Sequence, residues 1–236
     1  MRIKEQFSQN AKNYYKYSKI QQQGAELLVN KLPKKIDTIL DIGCGNGRVF
    51  NAINSNNIEF NKFYAVDFSE NMLQLHPKGE RIELNIADFN SEEFIKIYSK
   101  YKIDIAISSS ALQWAKDIDK TFKYISSIAP KSAFFIFTSG TFKSLHKIAS
   151  VKSPIYTIDK ILSAYSNNYI ATDVERLNFK LEFNNTLDML RYIKKSGVNG
   201  GGLGLDYREI KRVMQEYKLN YLEFEALLLI GDSKWK

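Results

Sequence analysis

The 236-residue sequence predicts an α/β fold built on a seven-stranded, mostly parallel sheet with an antiparallel terminal strand and helices on both faces. Three observations carry that expectation. Short β-branched or apolar runs alternate with stretches of helical length through residues 38–138. One of these runs, Thr38–Ile42, empties into glycines at 43, 45 and 47 and then into Arg48–Ile53, which can continue as a helix. Two further strand patterns, Leu177–Phe183 and Glu223–Ile230, close the chain as an antiparallel terminal pair.

Taken in order, residues 3–31 read as helix. Ile3, Phe7, Ala11 and Tyr14 share one face, and Ile20, Ala25, Leu27 and Leu28 recur at roughly helical spacing. Leu32-Pro33 ends the segment. The aromatic cluster Tyr14–Tyr17 lies between the two halves, and packing of a helix on the body suffices to explain it. Strands follow at Thr38–Ile42, Lys62–Val66, Ile82–Ile86, Asp104–Ser108 and Ala133–Thr138, with crossovers of suitable length between them. The fifth is apolar throughout, as a central strand covered on both faces should be. Residues 141–172 read as irregular and helical, with a helix around Ile158–Tyr165. Helices are expected at Thr186–Lys195 and Asp206–Tyr217, separated by a flexible turn, Gly197–Gly204, able to act as a lid. One domain, 1–236, is expected, with N-terminal helices over 1–35 and substrate-side cap elements at 140–175 and 186–220.

The bulk composition is that of an ordinary globular chain, 44% hydrophobic and 25% charged. No apolar run approaches the roughly 20 residues of a membrane-spanning helix, and no secretory signal is visible. The single cysteine, Cys44, has no internal partner, and a reducing cytoplasm is the natural compartment. The net charge of +8 suggests an anionic partner, yet only seven of 34 basic residues are arginine and no dense basic block interleaves with aromatics. A solvated lysine-rich surface accounts for most of the excess, and no nucleic-acid or membrane partner is expected.

The glycine loop carries the first chemical information. A dinucleotide fingerprint requires a sixth-position glycine, which here is Arg48. What stands instead is Asp41-Ile-Gly-Cys-Gly-Asn-Gly47, which resembles motif I of class I S-adenosylmethionine-dependent methyltransferases. Ligands in such sheets bind beyond the carboxyl ends of the strands, so the residues after each strand matter most. Asp67, 20 residues beyond Gly47, suits the ribose hydroxyls of an adenosine ligand, with Phe68 and Met72 beside it. Asp88 and Phe89 follow the third strand, where a carboxylate can accept from the adenine amine and a ring can lie against the base. Each carboxylate alone also fits a loop or helix-cap role. The fourth strand ends in Ser108-Ser109-Ser110, then Gln113 and Trp114; Trp114 suits either the cofactor site or a core anchor.

The resemblance sharpens over the rest of the chain. Phe7…Ala11…Tyr14-Tyr15, Gln21…Ala25…Leu28, Leu112-Gln-Trp114, Phe137-Thr…Leu145-His146, Leu190–Gly197 and Tyr221…Leu228-Leu-Ile-Gly231 are similar to the malonyl-acyl-carrier-protein O-methyltransferases of biotin synthesis. Two departures stand out: the first loop reads Gly43-Cys-Gly-Asn46 where Gly-x-Gly-Pro is common, and Gly197 is followed by Val-Asn-Gly-Gly-Gly rather than a polar, histidine-containing segment.

The resemblance implies a Rossmann-like class I methyltransferase fold. It implies S-adenosyl-L-methionine as cofactor, held by Asp41, Gly43, Cys44, Gly45, Gly47, Asp67, Phe68, Met72, Asp88, Phe89, Ser108, Ser109 and Trp114, and S-adenosyl-L-homocysteine as product. It further implies methyl transfer to the free carboxylate of malonyl-phosphopantetheine on acyl carrier protein, by a monomer. Such a carboxylate is already ionised and the sulfonium already activated, so neither a general base nor a metal is expected. Tyr14, Tyr15 and Gln113 are the candidates to orient the substrate, with Lys143, His146 and Arg191 as further donors to its carboxylate. His146 fits a structural role equally well, and His76, before Pro77, reads as incidental. Lys194, Lys195, Lys211 and Arg212 can face an acidic carrier. Two alternatives stay open: a methyltransferase of a small free carboxylic acid, and a non-catalytic cofactor-binding assembly or scaffold protein.

Overall fold

A computed structural model describes residues 17–196 and 205–235. Helix α1 (Lys19–Val29) leads into β1 (Lys35–Ile42), α2 (Arg48–Ser55), β2 (Glu59–Asp67), the short α3 (Glu70–Leu73) and β3 (Ile82–Ile86). Then come α4 (Glu92–Tyr98), β4 (Ile105–Ser109), a 3₁₀ turn (Leu112–Trp114), α5 (Ile118–Ile128) and β5 (Lys131–Phe137). The last part holds α6 (Lys143–Ala149), α7 (Ile158–Asn168), β6 (Tyr169–Glu182), α8 (Thr186–Ser196), α9 (Tyr207–Glu216) and β7 (Tyr221–Ser233).

The seven strands form one sheet in the order β3-β2-β1-β4-β5-β7-β6. β1 to β5 pair in parallel, while β7 is inserted antiparallel to both β5 and β6. The edge strand β6 therefore runs with the first five. This is the Rossmann-like arrangement with one reversed strand, and the chain's last strand is the reversed one.

Alternation along the buried strands divides the core between the two faces. Phe135 and Phe137 of β5 join Ile39, Phe63 and the inward faces of α1, α2, α6, α8 and α9. Phe134 and Ile136 join Leu40, Val66 and the inward faces of α4, α5 and α7. Helix α1 approaches the sheet closely because of Gly24, where an added Cβ would stand 2.5 Å from the Phe135 ring.

Most strands extend beyond their expected bounds at the amino end, where exposed polar residues such as Lys35 and Glu59 carry ladder hydrogen bonds without an apolar signal. β6 differs most. Residues 169–175, read from sequence as part of the cap, belong to this edge strand. Ile170 is 60% exposed and Val174 45%, so pairing with β7 rather than burial defines this half and leaves no inward alternation to read. Asp206 is the N-cap of α9 rather than its first residue, and it forms a reciprocal capping box with Glu209. The N-terminal part of the expected 3–31 helix and the Gly197–Gly204 turn fall outside the described residues. Among the described residues, no helix is long and apolar enough to cross a membrane.

Candidate functional site

From β1 the chain builds outward to β2 and β3, then returns to place β4 and β5 on the other side of β1. Such a reversal opens a crevice beyond the carboxyl ends of the strands at the switch point. A cavity of about 380 Å³ lies there, lined by the glycine loop, the residues after β2, β3 and β4, and Gln21 of α1. That volume lies within the range small organic ligands fill.

The loop bends as it does because its glycines accept left-handed backbone. Gly45 has φ +54°, and a Cβ there would meet nothing within 4 Å, so its backbone is bare to the cavity. Gly47, the N-cap of α2, has φ +88°, and a Cβ would stand 2.9 Å from the His76 ring. His76 is thus a packing residue under the loop: it is buried, its ring lies against Phe50 and Phe63, and its Nδ1 is 2.7 Å from the Pro77 carbonyl. Burial lowers its pKa, with the Pro77 contact opposing, so a neutral ring donating from Nδ1 fits the site.

Asp67 is the most constrained side chain. Its Oδ2 accepts from Gly45 N at 2.9 Å and its Oδ1 from Ser69 N at 2.8 Å, which ties β2 to the glycine loop. Burial raises its pKa to about 6, against the lowering effect of these N–H donors. Ser69 caps α3 by accepting from Met72 N, which sets Met72 against the cavity. Asp88 is held differently: its Oδ1 accepts from both the backbone and the side-chain N–H of Asn90, and Asn90 Oδ1 accepts from Lys116 N. Asp88, Phe89, Asn90 and Lys116 together form one wall.

The opposite wall comes from the end of β4. Ser110 holds φ +62°, unusual for a residue with a side chain, and its carbonyl accepts from Gln113 Nε2 at 2.7 Å. Several buried polar atoms around the cavity have no partner among the described residues: Gln21 Oε1, Ser109 Oγ, Ser110 Oγ and Trp114 Nε1. Both oxygens of Asp41, at the end of β1, are also buried without a partner among the described residues. Burial, then the nearby Asp67, pushes the Asp41 pKa well up. Orphaned buried polar atoms are costly, and their concentration at one cavity points to a ligand rich in donors and acceptors.

Of the residues named from sequence, Gly43, Cys44, Gly45, Asp67, Phe68, Met72, Asp88, Phe89, Ser109 and Trp114 line this cavity. Three do not. Asp41 and Gly47 lie in the strand and loop that shape it, and Ser108 turns away to donate to the Ile42 carbonyl at 2.7 Å. The Cys44 thiol is buried, and burial pushes its pKa well up, so it is no thiolate nucleophile. Lys143, His146 and Arg191 are not brought to the cavity. Lys143 is exposed at the start of α6, His146 is buried beside Phe142, and Arg191 pairs with Asp188 on α8 at 3.0 Å. Tyr14 and Tyr15 lie outside the described residues. Among the described residues, no cluster could hold a metal ion.

Gln21, Asn46, Arg48, Val49, Asn90, Ser110, Ala111 and Lys116 line the cavity without having been named as site residues. Gln21 left a readable signal. With Gly24, Ala25 and Leu28 it occupies the buried i, i+3, i+4, i+7 face of α1, a polar side chain on an apolar stripe.

Residues 40–131 match a family model described as a methyltransferase domain. The malonyl-[acyl-carrier protein] O-methyltransferase of Calditerrivibrio nitroreducens is 25% identical over 203 residues, covering 83% of this chain and 79% of the relative. Malonyl-[acyl-carrier protein] O-methyltransferase 2 of Ilyobacter polytropus is 22% identical over 247 aligned positions, covering 96% of this chain and 92% of the relative. Among solved structures, the YcgJ protein of Bacillus subtilis aligns with TM-score 0.63 at 14% identity, over 91% of this chain and 99% of that one. That likeness is one of fold.

Proposed function

We infer from its methyltransferase domain and sheet architecture that this chain is a class I, S-adenosylmethionine-dependent methyltransferase, and we propose that it esterifies the free carboxylate of a malonyl thioester carried on acyl carrier protein. The observation that carries the cofactor reading is the cavity itself, where a fixed carboxylate, a bare glycine backbone and orphaned polar atoms meet at the sheet's switch point. The acceptor reading is supported by similarity to malonyl-carrier methyltransferases along most of both chains.

When bound, the cofactor supplies an activated methyl group on a sulfonium centre. In this reading Asp67 accepts the ribose hydroxyls, its oxygens already aimed by the backbone N–H groups of Gly45 and Ser69. Asp88 and Phe89 take the adenine, and the Gly43–Gly45 backbone with Gln21 and Ser109 takes the amino-acid end. Gln113 acts through its bond to Ser110, holding that strained residue in the cavity wall. No residue needs to remove a proton, because a malonyl carboxylate is ionised at neutral pH. The protein's contribution is orientation and exclusion of water around a reaction in which opposite charges cancel.

The test is an acceptor comparison with labelled S-adenosylmethionine, using malonyl-carrier protein and free malonate in parallel. Labelled ester on the carrier alone is the expected result. Ester on free malonate favours a small-acid methyltransferase, and cofactor binding with transfer to neither acceptor overturns the enzymatic reading.

A further inference from the structure

We propose that the outward face of α9 is the docking surface for the carrier protein, receiving an acidic helix that carries a few apolar side chains; this rests on the carrier-bound substrate proposed above.

Helix α9 is anchored on the body by Val213 and, at its C-cap, by Tyr217. One flank of that buried line holds Tyr207, Ile210 and Met214, three apolar side chains at i, i+3 and i+7. They are 80%, 41% and 42% exposed. A contiguous apolar stripe left in water on a helix is unusual and marks an interaction surface more often than chance exposure. Beyond it, farther round the same helix and just past its end, stand Arg208, Lys211 and Lys218, all exposed. No ion pair among the described residues engages any of the three. Apolar centre and unpaired cationic rim together fit an acidic, amphipathic protein helix: the apolar contacts supply binding energy and the rim charges steer the encounter.

The topology puts this helix at the right end of the molecule. β5 and β6 run parallel, so α6 and α8, which follow them, begin at the carboxyl-end rim of the sheet. α9 precedes the reversed strand β7, which begins at that rim, so the C-terminal end of α9 lies there as well. It packs on α6, where Arg212 donates to Ser150 Oγ at 3.1 Å. The cavity opens beyond the same strand ends, so a carrier seated on α9 can send an extended prosthetic arm across the rim toward it. The stripe is narrow, three side chains on one flank, whereas a helix that lies in a lipid surface presents a broad apolar face. A protein helix is the better fit.

The experiment compares wild type with an Arg208→Glu/Lys211→Glu double variant and, separately, Tyr207→Ser/Met214→Ser, each checked for an unchanged thermal midpoint. Initial rates are measured with malonyl-carrier protein and with carrier-free malonyl-pantetheine. Both variants should raise KM for malonyl-carrier by roughly tenfold or more, with kcat, S-adenosylmethionine affinity and the rate on malonyl-pantetheine held. For wild type, KM for the carrier should also rise with ionic strength. Equal KM values for wild type and both variants overturn the docking surface while leaving the reaction standing. Loss of phosphatidylglycerol-vesicle binding in the variants, with carrier KM unchanged, overturns it in favour of a membrane. A wild-type enzyme that binds cofactor but does not act on malonyl-carrier overturns the substrate reading and this surface with it.

Discussion

Asp67 concentrates the residue-scale chemistry. It is nearly inaccessible, yet in the proposed role it must be ionised to accept two ribose hydroxyls, and burial holds its pKa at about 6 despite backbone donors from Ser69, Gly45 and Phe68. The sign of the pH dependence follows. Below pH 6 the free protein protonates Asp67 and loses acceptor capacity, while the bound ligand favours the carboxylate. S-adenosylmethionine affinity should therefore be level above about pH 7 and fall, approaching tenfold per pH unit, below pH 6. Asp67→Asn should bind about 10–100-fold more weakly, for a loss of about 1.5–3 kcal/mol, and should lose this pH dependence. Titration calorimetry across that range checks both; a variant with wild-type affinity contradicts the ribose assignment. The position of Asp67 was legible because a strand, a turn and a cap signal surround it in sequence. Ser108 was not separable from Ser109, because a one-residue difference in strand register decides which hydroxyl faces the cavity and which bonds the Ile42 carbonyl.

At the scale of elements, the site depends on how closely α1 is held to the sheet, since α1 delivers Gln21 to the cavity. Gly24 sets that distance. Alanine there would gain about 1 kcal/mol of helix propensity and lose a comparable amount or more to overlap with Phe135, whose fully buried ring has no room to swing aside. Leucine keeps the penalty and enlarges it. Gly24→Leu should lower unfolding stability by about 2 kcal/mol or more, and with α1 displaced it should weaken cofactor binding as well; urea denaturation at unchanged stability would show that α1 tolerates a larger gap. Buried strands announced themselves by apolar runs, and the half-buried edge strand β3 still alternates enough that its expected bounds, Ile82–Ile86, coincide with those observed. The first half of β6 did not, because an exposed edge strand is specified by its partner's hydrogen bonds rather than by its own pattern. Lys143, His146 and Arg191 illustrate the same limit from the functional side. Their residue types suit a carboxylate, but nothing local records that α6 and α8 turn these side chains to solvent or core instead of to the cavity.

For the whole molecule, the sheet order and the cavity together fit the cofactor half of the proposed reaction, while the acceptor half rests on the proposed docking surface of α9. Class I architecture was legible from the alternation of strands and the Asp41–Gly47 loop, because backbone-driven motifs are local. Of Lys194, Lys195, Lys211 and Arg212, expected to face an acidic carrier, only Lys211 belongs to the proposed docking surface: a net charge of +8 says that an anionic partner is welcome, not where it lands. In that proposal the location comes from the fold, which sets Arg208, Lys211 and Lys218 beside an exposed apolar stripe. Methyl esterification of a carrier-bound carboxylate is tested by intact-mass spectrometry of malonyl-carrier protein incubated with the purified chain and S-adenosylmethionine. The expected result is a single added methyl group on the malonyl-carrier, removable by an esterase and absent when holo-carrier without malonate is used. An unchanged mass, or methylation of the carrier that does not require the malonyl group, would contradict it.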